Sequence, residues 1–225
     1  TNILDGGKGN DTIYIQGTAD NVSAGAGNDL VIYANGANGA IVADGGDGID
    51  TFRTGGNISA VTLSHFEKLE LDGNVTLTAA QLAAFSVVAG IAPSYYTLIA
   101  ASAGTYDLSG KTVTYPINLS GSSGNDVLIG GATTVEMWGN QGDDTISAGS
   151  ATGNVTLYSG SGTNIMTGGA GNDTIYMQGT ADQANGGAGN DLIIQAGVTG
   201  AAIVNGGDGT DTSVSYTHLT LPTKR

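Results

Sequence analysis

Residues 168–194 read GGAGNDTIYMQGTADQANGGAGNDLII, and residues 6–32 read GGKGNDTIYIQGTADNVSAGAGNDLVI. The two stretches align without a gap, and most of their positions are identical. Within each stretch a glycine-rich block of nine residues returns after eighteen residues, as in blocks 168–176 and 186–194. A fixed period of this kind is typical of repeat architectures, so the sequence predicts stacked coils of chain.

Each block predicts a tight turn followed by a short strand. The clustered glycines at its first four positions permit positive φ angles, and the residues at positions seven to nine favour a strand. Position eight is apolar in seven of the blocks, at Ile13, Val31, Phe52, Leu128, Ile146, Ile175 and Ile193. One block cannot bury this side chain alone, whereas stacked coils of about eighteen residues can. The fold class that follows is an all-β solenoid.

An aspartate occupies position six of each strong block. In a coil of eighteen residues Asp11 stacks near Asp29, and Asp173 stacks near Asp191. After an insertion of three residues Asp29 stacks near Asp50, and the same logic places Asp126 near Asp144, and Asp191 near Asp211. Stacked carboxylates repel one another, and a divalent cation with a preference for oxygen ligands would relieve the repulsion. Calcium accepts six to eight oxygens in flexible geometry, which fits this pattern better than magnesium or zinc.

The blocks GGKGNDTIY, GGAGNDTIY and GGAGNDLII resemble the nonapeptide of the RTX, or hemolysin-type calcium-binding, repeat family. The resemblance implies a parallel β-roll with calcium (Ca²⁺) between successive turns. It also implies bacterial type I secretion, with folding after arrival in calcium-rich surroundings. The ligands that it implies are the carboxylates of Asp11, Asp29, Asp50, Asp126, Asp144, Asp173, Asp191 and Asp211, together with turn carbonyls around Gly7, Gly9, Gly25, Gly27, Gly46, Gly48, Gly169, Gly171, Gly187, Gly189, Gly207 and Gly209.

The composition is consistent with a cation as partner. Twenty acidic residues face six basic ones, for a net charge of −14, and there are 39 glycines among 225 residues. Nucleic acid and anionic membranes are poor partners, because both attract basic patches. The absence of cysteine excludes disulfides and thiolate metal sites. No apolar run is long enough to span a bilayer.

Other blocks depart from the pattern. Asp20 and Asp182 stand at position six but lack the glycine turn, and Asn38 and Asn164 replace the aspartate. Two more blocks, counted in nines, have Val135 and Gly153 at position six. We therefore expect one edge of each roll to be rich in calcium and the other to be mostly empty.

Residues 53–120 lack glycine turns but keep short alternating strands, as at Leu69 and Leu71. Thr78 and Gln81 form a capping-box pattern before Leu82, which predicts one short helix of about two turns. The pattern predicts a looser β-solenoid for this segment. The segment also resembles spacers of RTX and surface-layer proteins.

Several residues have alternative interpretations. Glu67, Glu70 and Asp72 resemble paired catalytic carboxylates, but their alternation with leucines favours a solvated strand face. His65 and His218 are too few for a zinc site or a catalytic triad. Protease and lipase signatures, HExxH and GxSxG, are absent from the sequence.

The predicted function is that of a non-catalytic calcium-binding segment of a larger bacterial polypeptide, located outside the cell or on the cell surface. The parent would be an adhesin, a surface-layer protein or a toxin, with cell-surface glycans or proteins as further partners. One alternative is a polysaccharide lyase or epimerase, which would depend on Arg53, Lys68 and Lys111 in the middle segment. A second is a carbohydrate- or ice-binding face, made by Trp138 and the tyrosines or by a threonine row through Thr12, Thr145 and Thr174.

The sequence predicts four regions. Residues 1–53 and 121–213 form the two RTX arms, and residues 54–120 form the spacer. Residues 214–225 resemble a translated adapter sequence and share nothing with the repeats, so we expect them to be non-native. The chain opens at Thr1 without a signal-like segment, which favours an internal fragment of a longer protein.

Overall fold

The computed structural model of the chain describes residues 2–17, 19–33, 40–197 and 200–216. The chain divides into two compact units, Thr1–Asn118 and Leu119–Arg225. Strands are parallel to their neighbours within each unit, and the predicted parallel β-solenoid is confirmed. Within the described residues, no helix has the length and apolar character needed to cross a membrane.

The first unit contains one helix and thirteen strands in the described part of its chain. In chain order these elements are β1 (Ile3–Asp5), β2 (Thr12–Ile15), β3 (Asn21–Ala26), β4 (Leu30–Tyr33), β5 (Val42–Asp47), β6 (Thr51–Thr54), β7 (Thr62–Ser64), β8 (Lys68–Leu71), β9 (Val75–Leu77), α1 (Ala79–Ala84), β10 (Val87–Gly90), β11 (Tyr96–Ala100), β12 (Thr105–Asp107) and β13 (Thr112–Val113). Strands β1, β3, β5 and β7 pair in that order in one sheet, and β2, β4, β6, β8, β10 and β13 pair in a second.

Strand β14 (Ile117–Ser120) contains the boundary between the units, and the second unit continues the alternation. Its strands are β15 (Val127–Ile129), β16 (Thr134–Trp138), β17 (Thr145–Ser147), β18 (Thr156–Tyr158), β19 (Ile165–Thr167), β20 (Thr174–Met177), β21 (Gln183–Ala188), β22 (Leu192–Ala196), β23 (Ile203–Asp208) and β24 (Thr212–Tyr216). The odd-numbered strands β15–β23 form one sheet of this unit, and the even-numbered strands β16–β24 form the other.

Position eight of the repeat forms the core. In the first unit Val31, Phe52 and Leu69 occupy successive strands in register, and each is fully buried. In the second unit Leu128 pairs with Ile146 and both are fully buried. Each of these strands thus removes a large apolar side chain from water, which stabilises a coil whose glycines lose much conformational entropy on folding.

The predicted helix is present and is capped at its N-terminus as expected. The backbone N–H of Gln81 donates to Oγ1 of Thr78, and the N–H of Thr78 donates to Oε1 of Gln81. Nε2 of Gln81 also donates to the carbonyls of Ile58 and Val61 at 2.7 Å each. Leu82 and Phe85 are buried at 1% and 2% exposure, so the helix and its C-cap are anchored to the solenoid of the first unit.

Val214 to Tyr216 lie within β24, which pairs with β22. The rest of the segment that the sequence predicts to be non-native, residues 217–225, lies outside the described residues. So does His218.

Candidate metal centres

The aspartates at position six form a ladder of hydrogen bonds from coil to coil. The N–H of Asp11 donates to Oδ1 of Asp29, and the N–H of Asp29 donates to Oδ1 of Asp50, both at 2.8 Å. In the second unit the N–H of Asp126 donates to Oδ1 of Asp144 at 2.8 Å. A separate ladder of that unit runs through Asp173, Asp191 and Asp211. The N–H of Asp173 donates to Oδ1 of Asp191 at 2.7 Å, and the N–H of Asp191 donates to Oδ1 of Asp211 at 2.9 Å. The predicted stacking of these residues is thus present.

The second carboxylate oxygen distinguishes the aspartates from one another. Oδ2 is buried without a hydrogen-bond partner in five of them, which are Asp11, Asp29, Asp50, Asp144 and Asp191. A buried ionised oxygen without a donor or a cation is costly, because it has lost its hydration and gained nothing in return. These five atoms therefore mark places where a positive ligand would be stabilised.

The turns that precede these five aspartates share one backbone conformation. Positive φ angles occur at their second and fourth residues, for example 107° at Gly187 and 130° at Gly189. We call this conformation a left-handed turn. It occurs at residues 7 and 9, 25 and 27, 46 and 48, 140 and 142, 160 and 162, 187 and 189, and 207 and 209. The predicted glycine ligands stack in columns, since a Cβ on Gly187 would collide with the carbonyl oxygen of Gly169.

An unpaired Oδ2 and a carbonyl oxygen of the following coil both lie close to the first glycine of the turn. A Cβ placed on Gly139 would lie 2.5 Å from Oδ2 of Asp144, and it would also collide with the carbonyl oxygen of Ser159. The same arrangement recurs at Gly186, where a Cβ would collide with both Oδ2 of Asp191 and the carbonyl oxygen of Gly206. Two oxygens with no donor between them form an electronegative gap between coils, and glycine leaves that gap free of side-chain atoms.

Two of the predicted ligands have a different environment. Oδ2 of Asp126 accepts hydrogen bonds from the N–H and Oγ of Ser122, at 2.6 and 2.9 Å. Oδ2 of Asp173 accepts the N–H of Gly169 at 2.6 Å. Both turns lack the left-handed conformation, and Gly169 and Gly171 have no positive φ. The turn itself satisfies these two carboxylates.

The departures from the repeat are also visible. Oδ2 of Asp182 accepts the N–H of Gly179 at 2.9 Å, and its Oδ1 accepts N–H and Nδ2 hydrogen bonds from Asn164. Asn164 replaces an aspartate in the ladder, where its Oδ1 accepts the N–H of Asp144 at 2.8 Å.

The sequence placed Gly153 at position six, which is wrong. Val155 donates its N–H to Asp173 and occupies that place, because the extra residues precede Asn154. Asn38 lies outside the described residues.

Unpaired aspartates occur on both ladders of the second unit. Asp144 belongs to one ladder and Asp191 to the other. Aspartates with an unpaired Oδ2 therefore lie on both edges of this unit, and the expectation that one edge is rich in calcium and the other mostly empty stays a prediction.

Position five carries a second ladder, which the sequence reading missed. The N–H of Asn28 donates to Oδ1 of Asn10, and the N–H of Asn190 donates to Oδ1 of Asn172, both at 2.8 Å. In another coil the N–H of Thr163 donates to Oδ1 of Asp143 at 2.8 Å. This ladder runs in the opposite direction to that of position six, since each side chain accepts from the following coil. The signal was the repeated asparagine in the phrase GND.

Burial affects the titration of the ladder. Burial raises the pKa of Asp144 to about 6, and the charges of Asp126 and Asp143 add to the effect, while the hydrogen bond from the N–H of Asp126 opposes it. Burial also raises the pKa values of Asp50 and Asp173. A raised pKa means that the surroundings disfavour the ionised form, which a bound cation would reverse.

The solvated strand face expected for Glu67, Glu70 and Asp72 is wrong for the two glutamates. The side chain of Glu70 is 13% exposed and forms ion pairs with Arg53 and Lys68. Oε2 of Glu67 accepts the N–H of Asp50 at 2.8 Å. Asp72 is exposed as expected. The alternation with leucine could not show that Glu67 joins the position-six ladder or that Glu70 forms ion pairs.

The structure does not assemble the proposed threonine row. Thr145 lies in β17 and Thr174 in β20, on different sheets of the second unit, whereas Thr12 belongs to the first unit. The aromatic residues stack on one another: the rings of Trp138 and Tyr158 are 5.9 Å apart, and those of Tyr158 and Tyr176 are 4.8 Å apart with an interplanar angle of 4°. Their facing surfaces cover each other, as expected for packing residues.

The donor set fits calcium. Among the described residues, no three His, Cys, Asp or Glu side chains cluster closely enough to hold a metal by themselves. A cation would therefore combine one or two carboxylate oxygens with turn carbonyls, an all-oxygen set that suits calcium and not zinc. The five buried Oδ2 atoms without donors are the structural observation that agrees with this fit.

A parallel solenoid with glycine turns and buried, unpaired aspartate oxygens defines the class of cation-binding β-rolls. The family described as RTX calcium-binding nonapeptide repeat (4 copies) matches residues 1–31, 120–152, 138–175 and 178–194. The chain belongs to this family of calcium-binding repeats. Among curated proteins, none matches the chain.

Proposed function

We propose that the two arms are calcium-binding β-rolls of a larger secreted or cell-surface bacterial polypeptide, which fold when they bind calcium outside the cell. The observation that carries this proposal is the set of five buried Oδ2 atoms without a hydrogen-bond donor. RTX repeats are typical of secreted bacterial proteins, which supports the location. Extracellular calcium modules bind with dissociation constants of about 0.1–1 mM, so the arms would be unoccupied in the cytosol.

The proposed ligands are the aspartates that follow left-handed turns, together with carbonyl oxygens of those turns. They are Asp11, Asp29, Asp50, Asp144, Asp191 and Asp211. Asp126 and Asp173 would first have to release the hydrogen bonds from Ser122 and Gly169, so we assign them a weaker contribution. Calcium would neutralise the stacked carboxylates and offset the entropy lost by the glycine turns.

A non-catalytic role is part of the proposal. The basic side chains that a lyase or epimerase would need are engaged elsewhere. Arg53 and Lys68 bind Glu70, and Nζ of Lys111 donates to the carbonyl of Phe85 at 2.6 Å. A general base or a charge-neutralising group in a substrate groove requires a side chain that is free to contact the substrate.

Adjacent residues provide a matched test. Asp144→Asn removes the charge at an unpaired Oδ2, whereas Asp143→Asn makes the same change at position five, where other coils carry asparagine. Calcium titration by calorimetry should show fewer bound ions for Asp144→Asn and the wild-type number for Asp143→Asn. Equal binding by both variants would refute the ligand assignment.

A further inference from the structure

The position-six ladder of the first unit continues one step beyond its last glycine-rich block. The N–H of Asp50 donates to Oε2 of Glu67 at 2.8 Å, just as the N–H of Asp29 donates to Asp50. The N–H of Lys68 donates to the carbonyl of Asp50 at 3.0 Å, as that of Thr51 does to Asp29. Glu67 therefore occupies position six of a further coil, although its sequence lacks the nonapeptide pattern.

A glutamate in this position compensates for a shorter coil. Glu67 follows Asp50 by 17 residues, whereas the aspartates of the preceding coils are separated by 18 and 21 residues. The extra methylene of glutamate allows the carboxylate to reach back to the backbone of Asp50. The hydrogen-bond pattern of the ladder is preserved in spite of the missing residue.

The turn before Glu67 presents a carbonyl oxygen without any glycine. His65 adopts a φ of 52°, an uncommon value for a residue other than glycine, and its Nδ1 lies 2.6 Å from Oδ1 of Asp44. A Cβ on Gly45 would collide with the carbonyl oxygen of His65. A Cβ on Gly139 would collide in the same way with the carbonyl oxygen of Ser159. His65 thus takes the place of the first residue of a repeat.

Asp50 has an unpaired carboxylate oxygen close to Gly45, on the side of the turn that contains His65. Its side chain is 0% exposed, and its Oδ2 has no hydrogen-bond partner. Oδ2 of Asp50 lies 2.9 Å from the position that a Cβ on Gly45 would occupy. The same Cβ would collide with the carbonyl oxygen of His65. A buried carboxylate oxygen, a backbone carbonyl oxygen and the carboxylate that accepts from Asp50 are therefore brought together at the junction with the spacer.

We propose that Asp50, the carbonyl of His65 and Glu67 form a divalent-cation site that closes the calcium array of the first arm. The site lies outside the residues matched by the repeat family, and Glu67 is not a nonapeptide residue. It rests on the proposed function, with calcium as the cation. Its role is to end the array where the repeat sequence stops, since without it the carboxylate of Asp50 would face the spacer without a counter-charge.

The test compares Glu67→Gln with Glu136→Gln in the full chain. Glutamine can still accept the hydrogen bond from Asp50 but loses the charge, and Glu136 lies in β16, outside every ladder described above. Calcium binding is measured by calorimetry, and the fold in calcium by circular dichroism. We expect Glu67→Gln to bind about one calcium ion fewer per chain than the wild type, and Glu136→Gln to bind the wild-type number.

Wild-type calcium binding by Glu67→Gln would overturn the inference while leaving the proposed function intact. Absence of calcium binding by the wild type would refute the proposed function itself. A Glu67→Gln chain that stays unfolded in saturating calcium would also contradict the inference, because losing one cation site removes only part of the calcium stabilisation. That outcome would assign Glu67 a purely structural role.

Discussion

The N–H of Asp173 donates to Oδ1 of Asp191 at 2.7 Å, but the second oxygens of these two carboxylates differ. Oδ2 of Asp173 accepts the N–H of Gly169, whereas Oδ2 of Asp191 is buried without a partner. Successive copies of one sequence pattern thus differ in their need for a cation. The conformation of the preceding turn, left-handed at 187 and 189 but not at 169 and 171, accounts for the difference.

This difference predicts unequal effects of the same substitution. Asp191→Asn should weaken calcium binding by about tenfold or more, because it removes the charge of an unpaired oxygen. Asp173→Asn should have a smaller effect on calcium binding, since that carboxylate is already satisfied by its own turn. Calorimetric titration of the two variants checks the prediction, and an equal loss of affinity would contradict it.

Gly189, in the left-handed turn before Asp191, should not tolerate a side chain. Gly189 has a φ of 130°, and a Cβ there would collide with the carbonyl oxygen of Gly171. Gly189→Ala should lower the free energy of unfolding in calcium by about 1–3 kcal/mol. Gly153→Ala serves as the control, because no atom lies within 4 Å of its Cβ position. Urea denaturation measures both, and similar midpoints would show that the turn tolerates alanine.

The position-five ladder should contribute modestly to stability. Asn172→Ala removes the acceptor for the N–H of Asn190, at an expected cost of about 0.5–1.5 kcal/mol. Asn172→Asp retains an acceptor, as Asp143 does in another coil, and should cost less. Thermal unfolding of both variants in calcium decides the matter. A larger loss for aspartate than for alanine would contradict the assigned role.

The contribution of Asp144 to the pH dependence of stability should change sign with calcium. The pKa of Asp144 in the folded chain, about 6, is above its ordinary value of 3.8, so the folded state without calcium holds more protons than the unfolded state. The contribution of Asp144 to stability is therefore full below pH 4 and is lost as the pH rises through 6. With calcium, which binds the ionised form, stability should instead increase over the same range.

Circular dichroism of the calcium-free chain at pH 5 and pH 7.5 measures this dependence. Asp144→Asn should reduce the difference between the two pH values, because an amide does not titrate. An unchanged difference in that variant would assign the pH dependence to other carboxylates.

Much of this architecture could be predicted from the sequence. The period placed Val31 and Phe52 in the core, and the capping pattern at Thr78 and Gln81 located the helix. The hydrogen-bonding state of each aspartate could not be predicted, because the same phrase GGAGN precedes both Asp173 and Asp191. The two turns lie against different coils, since a Cβ on Gly169 would meet the carbonyl oxygen of Ala151 and one on Gly187 would meet that of Gly169. Glu67 was missed because its coil is one residue shorter and lacks glycine.

The central claim is that calcium and the aspartate ladder fold together. Circular dichroism of the full chain at pH 7.5, in chelator and in millimolar calcium, tests it most directly. We predict that chelator abolishes the β-sheet signal of the arms and that calcium restores it, because the unpaired buried carboxylates destabilise the calcium-free fold. A β-sheet spectrum that is the same with and without calcium would contradict the claim.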